Sequence, residues 1–281
     1  MGVTFGVLHP GEMGAAIAAQ ARRRGASVLW CPTGRSRATR ERAARSGLVP
    51  TADLDELLDR VEVVISICSA TAAVQVATQV ARSGFQGLYV EANDTSPQRC
   101  IRIAQRLMHS GAEVLDAAIF GAPPRDNGAK TAMYLAGRRA DVETMTLVFA
   151  GTGVEPIRLE GDIGTASALK MAHAGYQKTT AVLAAVAHAL AARYGVTEPL
   201  IAEARHAPHS PLAEPHRLPS VAARAWRWTP ELHEVADALE AEELPRDLAL
   251  ATATILFRWH DDKDDASLAL DTVLARLADP T

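Results

Sequence analysis

The chain has 281 residues, 48% hydrophobic, 22% charged and 5% aromatic, with a formal net charge of −4. That is globular usage, too apolar for a disordered chain and too acidic overall for the basic stripe of a nucleic-acid binder. At about 100–200 residues per domain, the length predicts two domains. No apolar run reaches the roughly 18 residues of a membrane span, so none is expected. The opening MGVTFGVLHPGEMG has neither a basic n-region nor a small-residue cleavage site, so no secretory signal is expected. Cys31, Cys68 and Cys100 follow no CxxC spacing. Free thiols and a cytoplasmic protein are the expectation.

Taken in chain order, the first half alternates β-rich and amphipathic runs. Strands are expected at Val3–Leu8, Ser27–Cys31, Glu62–Ile67, Gly87–Ala92, Glu113–Ala118, Ala132–Ala136 and Val154–Arg158. Helices are expected at Gly14–Arg24, Arg35–Ser46, Ala70–Ala81 and Pro97–Ser110, the last with Ser96 as N-cap. Near-continuous apolar strands such as EVVISI suit parallel strands buried on both faces, and the alternation implies right-handed βαβ units. From Asp162 to Arg193 there is no proline, and Ala, Leu and Val dominate, which predicts one long helix with Gly195 past its end. Residues 196–281 read as further helices broken by Pro199, Pro208, Pro211, Pro215, Pro219, Pro230 and Pro245. The expected fold is therefore α/β: a Rossmann-like, doubly wound parallel sheet over residues 1–160, then an all-helical domain over 161–281.

The most informative segment lies between the first strand and first helix. In Gly6-Val-Leu-His9-Pro10-Gly11-Glu12-Met13-Gly14, a tight turn lets backbone N–H groups at a helix N-terminus approach a pyrophosphate. Gly11 permits close approach and Gly14 permits close helix–strand packing, while His9 replaces the first glycine of a GxGxxG fingerprint. After the second strand, no carboxylate is available for the ribose 2′-hydroxyl of NAD. Thr33, Arg35, Ser36 and Arg37 stand there instead, a set suited to a 2′-phosphate. The expected cofactor is NADP(H) rather than NAD(H).

Five landmarks in order carry a family resemblance. HPGEMG resembles GLGxMG. Ser66-Ile-Cys68-Ser69-Ala70 sits where a loop after the fourth strand covers the cofactor, with Asn93 in the next segment. Glu91-Ala-Asn93-Asp94-Thr95-Ser96-Pro97 resembles D-x-S-T-x-x-P. Asp116-Ala-Ala-Ile-Phe120-Gly121-Ala122 resembles the D-A-P-V-S-G-G substrate loop. Gly161 to Lys170 resembles the approach to a catalytic lysine. Together they resemble the 3-hydroxyisobutyrate/6-phosphogluconate dehydrogenase-like superfamily. Ile119 to Pro124, Leu169 to Lys178 and Phe257 to His260 resemble its branch with a DUF1932 C-terminal domain.

The resemblance implies that Lys170 exchanges a proton with the reacting oxygen. Lysine occurs only at positions 130, 170, 178 and 263, and Lys170 has the apolar neighbours Ala168, Leu169, Met171 and Ala172, an unusual setting for an idle charge. His173 and Gln177 follow on its helical stripe. They are the polar candidates because the family's Asn position is Ala174. Phe120, Gly121 and Ala122 stand where the family has Ser-Gly-Gly. With Tyr176 they are the substrate candidates, and they point away from a short hydroxyacid. No metal site is expected, since His206, His209 and His216 lie in a proline-rich stretch without a Cys or carboxylate set. Asp261 to Asp265 lacks the glycine and terminal Glu of a calcium loop and reads as a solvated turn. The sequence thus predicts an NADP-dependent oxidoreductase acting on C–OH/C=O in an interdomain cleft. It is expected as a homodimer through its C-terminal helices, binding neither membrane nor nucleic acid. An imine reductase and a non-catalytic nucleotide sensor are the alternatives.

Overall fold

The computed structural model describes residues 3–125, 130–206 and 211–278. The chain divides into two compact units, Met1–Lys170 and Met171–Thr281. In the first, β1 (Thr4–Leu8), α1 (Glu12–Arg23), β2 (Ser27–Trp30), α2 (Arg37–Arg45), β3 (Val49–Pro50), α3 (Leu54–Asp59), β4 (Val63–Ser66), α4 (Ala70–Arg82), β5 (Leu88–Glu91), α5 (Pro97–His109) and β6 (Glu113–Phe120) follow one another. After them come β7 (Thr131–Ala136), α6 (Arg139–Phe149) and β8 (Val154–Arg158). The strand order is β3-β2-β1-β4-β5-β6-β7-β8. The first six strands are parallel in the doubly wound order, with a crevice where the order reverses beside β1.

Alternation of side chains across each strand explains why both faces are covered. Phe5, Val7, Val28, Trp30, Val63, Ile65, Val90 and Leu115 enter one core with Ile17, Met145 and Phe149 from α1 and α6. Their neighbours Leu8, Leu29, Val64, Tyr89 and Val114 enter the other, with Leu57, Val76, Ile103 and Leu107 from α3, α4 and α5. A strand that feeds two cores has no polar face, and a parallel sheet sealed by helices accommodates that pattern.

The sheet departs from a purely parallel one. β7 runs antiparallel to β6, with Ala118 opposite Tyr134, and β8 returns parallel to β7. Three elements lie outside the expected set. β3 has two residues, both exposed, and α3 only six, too few to show a period. α6 hides its apolar residues Val142, Met145 and Val148 among β-branched and polar ones, which blurs the helical stripe.

The long helix α7 (Thr165–Arg193) begins after Gly164 and ends before Gly195, whose φ of +66° fits the left-handed C′ position. Gly195 N–H donates to Ala192 O, and Val196 N–H donates to Ala191 O at 3.0 Å, closing the helix. In the second unit α8 (Thr197–Ala204), α9 (Leu218–Ala222), α10 (Ala225–Ala241), α11 (Asp247–Phe257) and α12 (Leu270–Arg276) follow. Met171, Val182, Trp228, Leu232, Leu256, Trp259 and Val273 form their core.

Three expectations are corrected here. Pro230 lies inside α10 rather than breaking it. Burial of Ala225, Trp228, Leu232 and Val235 on the same helix outweighs the roughly 3 kcal/mol of an interior proline. Pro199 and Pro219 sit in the first turns of α8 and α9, where a missing N–H costs little. The acidic turn is not simply solvated: Asp262 is buried and pairs with Arg276 at 2.8 Å. The stretch 205–219 holds two short 3-10 turns, Pro211–Ala213 and Pro215–Arg217, while Pro208 and His209 lie outside the described residues.

His9 has a φ of +66°, the left-handed conformation that the fingerprint's first glycine would adopt freely. A non-glycine residue there costs about 1–2 kcal/mol, partly offset by glycine's larger unfolded-state entropy. His9→Gly is expected to raise stability by about 0.5–1 kcal/mol. Urea unfolding measures this, and a lower midpoint for the variant would mean that His9 contacts outweigh its backbone strain.

Candidate active site

The carboxyl ends of β1, β2, β4, β5 and β6 carry the candidate residues. At the first turn, Gly11 N–H donates to the His9 carbonyl at 2.7 Å and Arg42 Nη1 donates to Pro10 O at 3.4 Å. A Cβ on Gly14 would meet the His9 carbonyl at 2.8 Å, so the turn closes onto α1 only because residue 14 is glycine. A Cβ on Gly11 would meet nothing within 4 Å. No side chain caps α1 at Gly11, so the first-turn N–H groups of Glu12 and Met13 retain the character of an anion site.

Arg35 faces this turn. Its Nε is buried and finds no hydrogen-bond partner among the described residues. Burial lowers its guanidinium from the ordinary value. His9 is pushed down to about 4, first by burial and then by the Arg35 charge, so it is neutral near pH 7. Two neighbours are already engaged: the Ser36 hydroxyl caps α2 by accepting from Thr39 N–H, and Thr33 Oγ1 donates to Ala52 O. Arg37 pairs with Glu41 on the surface. Of the expected 2′-phosphate group, Arg35 has the buried donor in need of an acceptor. The open turn, the uncapped helix and the orphaned Arg35 Nε together fit a dinucleotide phosphate.

A buried polar chain fixes the adjoining loop. Cys68 N–H donates to Asn93 Oδ1 at 2.6 Å. Asn93 Nδ2 donates to Glu91 Oε1 at 2.6 Å and to Ser66 Oγ at 3.0 Å. Ser69 and Ala70 open α4 immediately after, with Ser69 Oγ bonded to Thr71 Oγ1. Glu91 is wholly buried, and burial pushes its carboxyl up to about 8. Burial, then Glu91, pushes the Cys68 thiol up to about 12, which leaves it unreactive near neutrality. All three cysteines are free.

Lys170 lies at the end of β6. Its Nζ donates to Ile119 O at 2.6 Å, stands 3.3 Å from Asp94 Oδ1, and lies 4.9 Å from the centroid of the Phe120 ring. Phe120 meets Tyr134 edge-on, with centroids 5.3 Å apart. Gly121 takes a φ of +103°, and Ala122 O accepts from Thr131 Oγ1 at 2.6 Å, which turns the chain after Phe120. Asp116 fixes the helix that carries Lys170. Its Oδ2 accepts from Gly164 N–H and Ser167 N–H, and its Oδ1 accepts from Ser167 Oγ at 2.8 Å.

The structure thus brings His9 and Arg35 together, links Cys68 to Asn93, and sets Lys170 over Phe120. His173, Tyr176 and Gln177 lie further along α7 and are exposed, Tyr176 to 75%. Sequence reasoning missed Asp94, Glu91, Asp116 and the Ile119 carbonyl as site residues. Asp94 had a signal: a carboxylate where the resembled segment carries threonine. Among the described residues, no group of three or more His, Cys, Asp or Glu side chains could hold a metal ion, and no helix is long and apolar enough to cross a membrane.

Residues 4–159 match the family model described as the NAD binding domain of 6-phosphogluconate dehydrogenase, and residues 191–259 match the domain of unknown function DUF1932. An uncharacterized 28.5 kDa protein of Methanothermus fervidus is 29% identical over 175 residues, 62% of this chain; the match spans 65% of that relative. The structure of the conserved protein MTH1747 of unknown function, described as similar to 3-hydroxyacid dehydrogenases, superposes with a TM-score of 0.70 at 26% identity over 92% of this chain and 98% of that one. A 3-hydroxyisobutyrate dehydrogenase from Salmonella typhimurium gives 0.76 at 20% identity over 97% and 99%, a likeness of fold.

The raised Glu91 carboxyl makes stability depend on pH. The folded state holds a proton that the unfolded state releases between about pH 4.5 and about pH 8, so the stability present below this window is lost as pH rises through it. Glu91→Gln keeps a neutral acceptor for Asn93. Its melting temperature is expected to exceed that of the parent at about pH 8 and to converge with it near pH 5. Parallel melting curves across that range would remove Glu91 ionisation from the account.

Proposed function

The chain belongs to the family of the NAD binding domain of 6-phosphogluconate dehydrogenase, and from that premise we propose an NADP-dependent oxidoreductase that interconverts C–OH and C=O with Lys170 as its proton-transfer group. The observation that carries this reading is the placement of Lys170 Nζ, held by Ile119 O and Asp94 at the end of the sheet where doubly wound folds bind ligands. Residues 1–160 form the nucleotide-binding domain in this reading. His9, Pro10, Gly11, Glu12 and Met13 hold the pyrophosphate. Arg35 grips the 2′-phosphate, with Thr33 and Ser36 shaping its loop. Cys68, Ser69 and Ala70 would belong to the loop that covers the cofactor, and Asn93 to the segment beside the nicotinamide ribose. The cofactor supplies or accepts the hydride. Lys170 delivers a proton to the carbonyl oxygen in reduction and recovers one from the hydroxyl in oxidation, which balances the charge of the transferred hydride. Phe120, Gly121 and Ala122 would face the substrate in this reading, as the resemblance implies, and His173, Tyr176 and Gln177 are the further candidates that α7 carries.

A homodimer is part of the same proposal. Leu183 and Leu190 lie seven residues apart on α7, and both are exposed. An apolar stripe at that spacing suits helix-on-helix association. Leu183→Glu with Leu190→Glu is expected to convert a dimer to a monomer in light scattering; an unchanged mass would place the interface elsewhere.

Nicotinamide fluorescence tests the cofactor. NADPH is expected to bind at least about tenfold more tightly than NADH, and Arg35→Ala to abolish that preference while leaving NADH within about twofold. Equal binding by the parent would withdraw NADP. Lys170→Ala is expected to keep cofactor affinity and lower carbonyl reduction by about 100-fold or more. Reduction of cyclic imines but not carbonyls would favour the imine reductase. Tight cofactor binding without turnover would favour a sensor.

A further inference from the structure

Lys170 has three N–H donors and no acceptor. Its surroundings are unusually rich in negative charge density. Ile119 O accepts at 2.6 Å, the Asp94 carboxylate stands at 3.3 Å, and the face of Phe120 lies 4.9 Å away, within cation–π reach. The ammonium is therefore charge-matched by the chain itself before any substrate arrives. Lys170 and Asp94 remain partly open, with side chains 19% and 33% exposed, so a small molecule can reach the pair. The wall beside them is Phe120 packed on Tyr134, which provides apolar surface and, from Phe120, no hydroxyl.

We propose that Asp94 determines substrate charge: its carboxylate takes the place beside Lys170 that a substrate carboxylate would need, so the site accepts an uncharged carbonyl or imine and turns away carboxylates. This rests on the reading of Lys170 as the group that meets the reacting oxygen. A neutral carbonyl oxygen needs one N–H donor, and Lys170 retains one after serving Ile119 and Asp94. An incoming carboxylate would gain attraction from Lys170 but meet repulsion from Asp94 within the same few ångströms, and like charges sharing a site disfavour one another. The apolar Phe120–Tyr134 wall then contacts the carbon skeleton. In chemical terms the expected substrates are aldehydes, ketones or cyclic imines with an apolar body and no acid group next to the reacting carbon.

The experiment compares malonate with its neutral diamide, malonamide, as probes. Thermal stabilisation reports the binding of each, since a ligand that binds the folded state raises the melting temperature. The parent protein, Asp94→Asn and Asp94→Glu are each titrated with and without NADPH. In the parent, malonate is expected to bind no more tightly than malonamide. In Asp94→Asn, malonate affinity is expected to rise by about tenfold or more while malonamide stays within about twofold. Asp94→Glu keeps the carboxylate and is expected to keep the parent pattern. Tighter malonate than malonamide binding in the parent, or unchanged malonate affinity in Asp94→Asn, would overturn the proposal. The NADPH arm is read separately. Absence of stabilisation by NADPH in the parent would defeat the cofactor reading, while the malonate comparison without NADPH still decides the role of Asp94. If Asp94→Asn melts too early to titrate, Asp94→Ser carries the same test.

Discussion

The buried carboxyl of Asp116 governs where Lys170 sits. It reaches from β6 to the start of α7 and accepts three hydrogen bonds, two from backbone N–H groups in the first turn. A helix N-terminus has four such groups without intrahelical partners, and it carries partial positive charge. A carboxylate there satisfies donors and dipole together. Gly164, with a φ of +105°, lets the chain turn into that position. Once Asp116 holds Ser167, the next turn of helix passes the end of the same strand, where Lys170 meets Ile119 O. Strand and helix are therefore in register twice, at Asp116 with Ser167 and at Ile119 with Lys170.

Three acidic residues cluster near these strand ends, and each is accommodated differently. Glu91 is buried without a cation and is held largely protonated. Asp116 is buried too, and burial raises its carboxyl, but hydrogen bonds from Ser167, Gly164 and Cys100 pull the other way. Asp94 stays partly open and faces Lys170. The physical distinction is the number of donors available to stabilise a charge removed from water. Glu91 is aided chiefly by Asn93, and it uses that contact to orient Asn93 toward Cys68 N–H. The chain thus buries one acid, Glu91, beneath the Cys68 loop and leaves another, Asp94, partly open beside Lys170.

Much of the first unit was legible in the sequence because burial imposes simple patterns. Strands feeding two cores are apolar throughout, and the helices between them repeat small or apolar residues every three or four positions. Val63–Ser66 and Ala70–Arg82 show both. Where burial imposes no pattern, nothing was legible. The two exposed residues of β3 follow from pairing with Leu29 and Trp30, a contact between residues about twenty positions apart. Pro230 misled because proline's local cost is visible in sequence and the packing that outweighs it is not. Lys170 was singled out through its motif. Its strongest contact is with a backbone carbonyl, which every residue has, so no side-chain pattern could name Ile119. Asp94 was visible as a departure, yet its meaning required the 3.3 Å that separates it from Lys170.

The cofactor turn shows the same coupling between strain and charge. His9 occupies a left-handed backbone position that disfavours it, and its ring is kept neutral by burial and by Arg35. Strained residues persist where their surroundings over-determine them, most often at ligand sites. Here the over-determination is visible: the His9 carbonyl accepts from Gly11 N–H, and Gly14 leaves no room for a Cβ against it. Arg35 lacks a partner for its buried Nε, and the neighbouring imidazole cannot provide compensating negative charge. An anion placed between Arg35 and the α1 N-terminus would satisfy that donor and face the positive end of the helix. It would also lessen the repulsion that Arg35 exerts on a protonated His9. Electrostatics at this turn therefore run opposite to those at Lys170, where the chain's own carboxylate already supplies the matching charge. One of these two places leaves a buried donor without an acceptor, and the other pairs its cation within the chain.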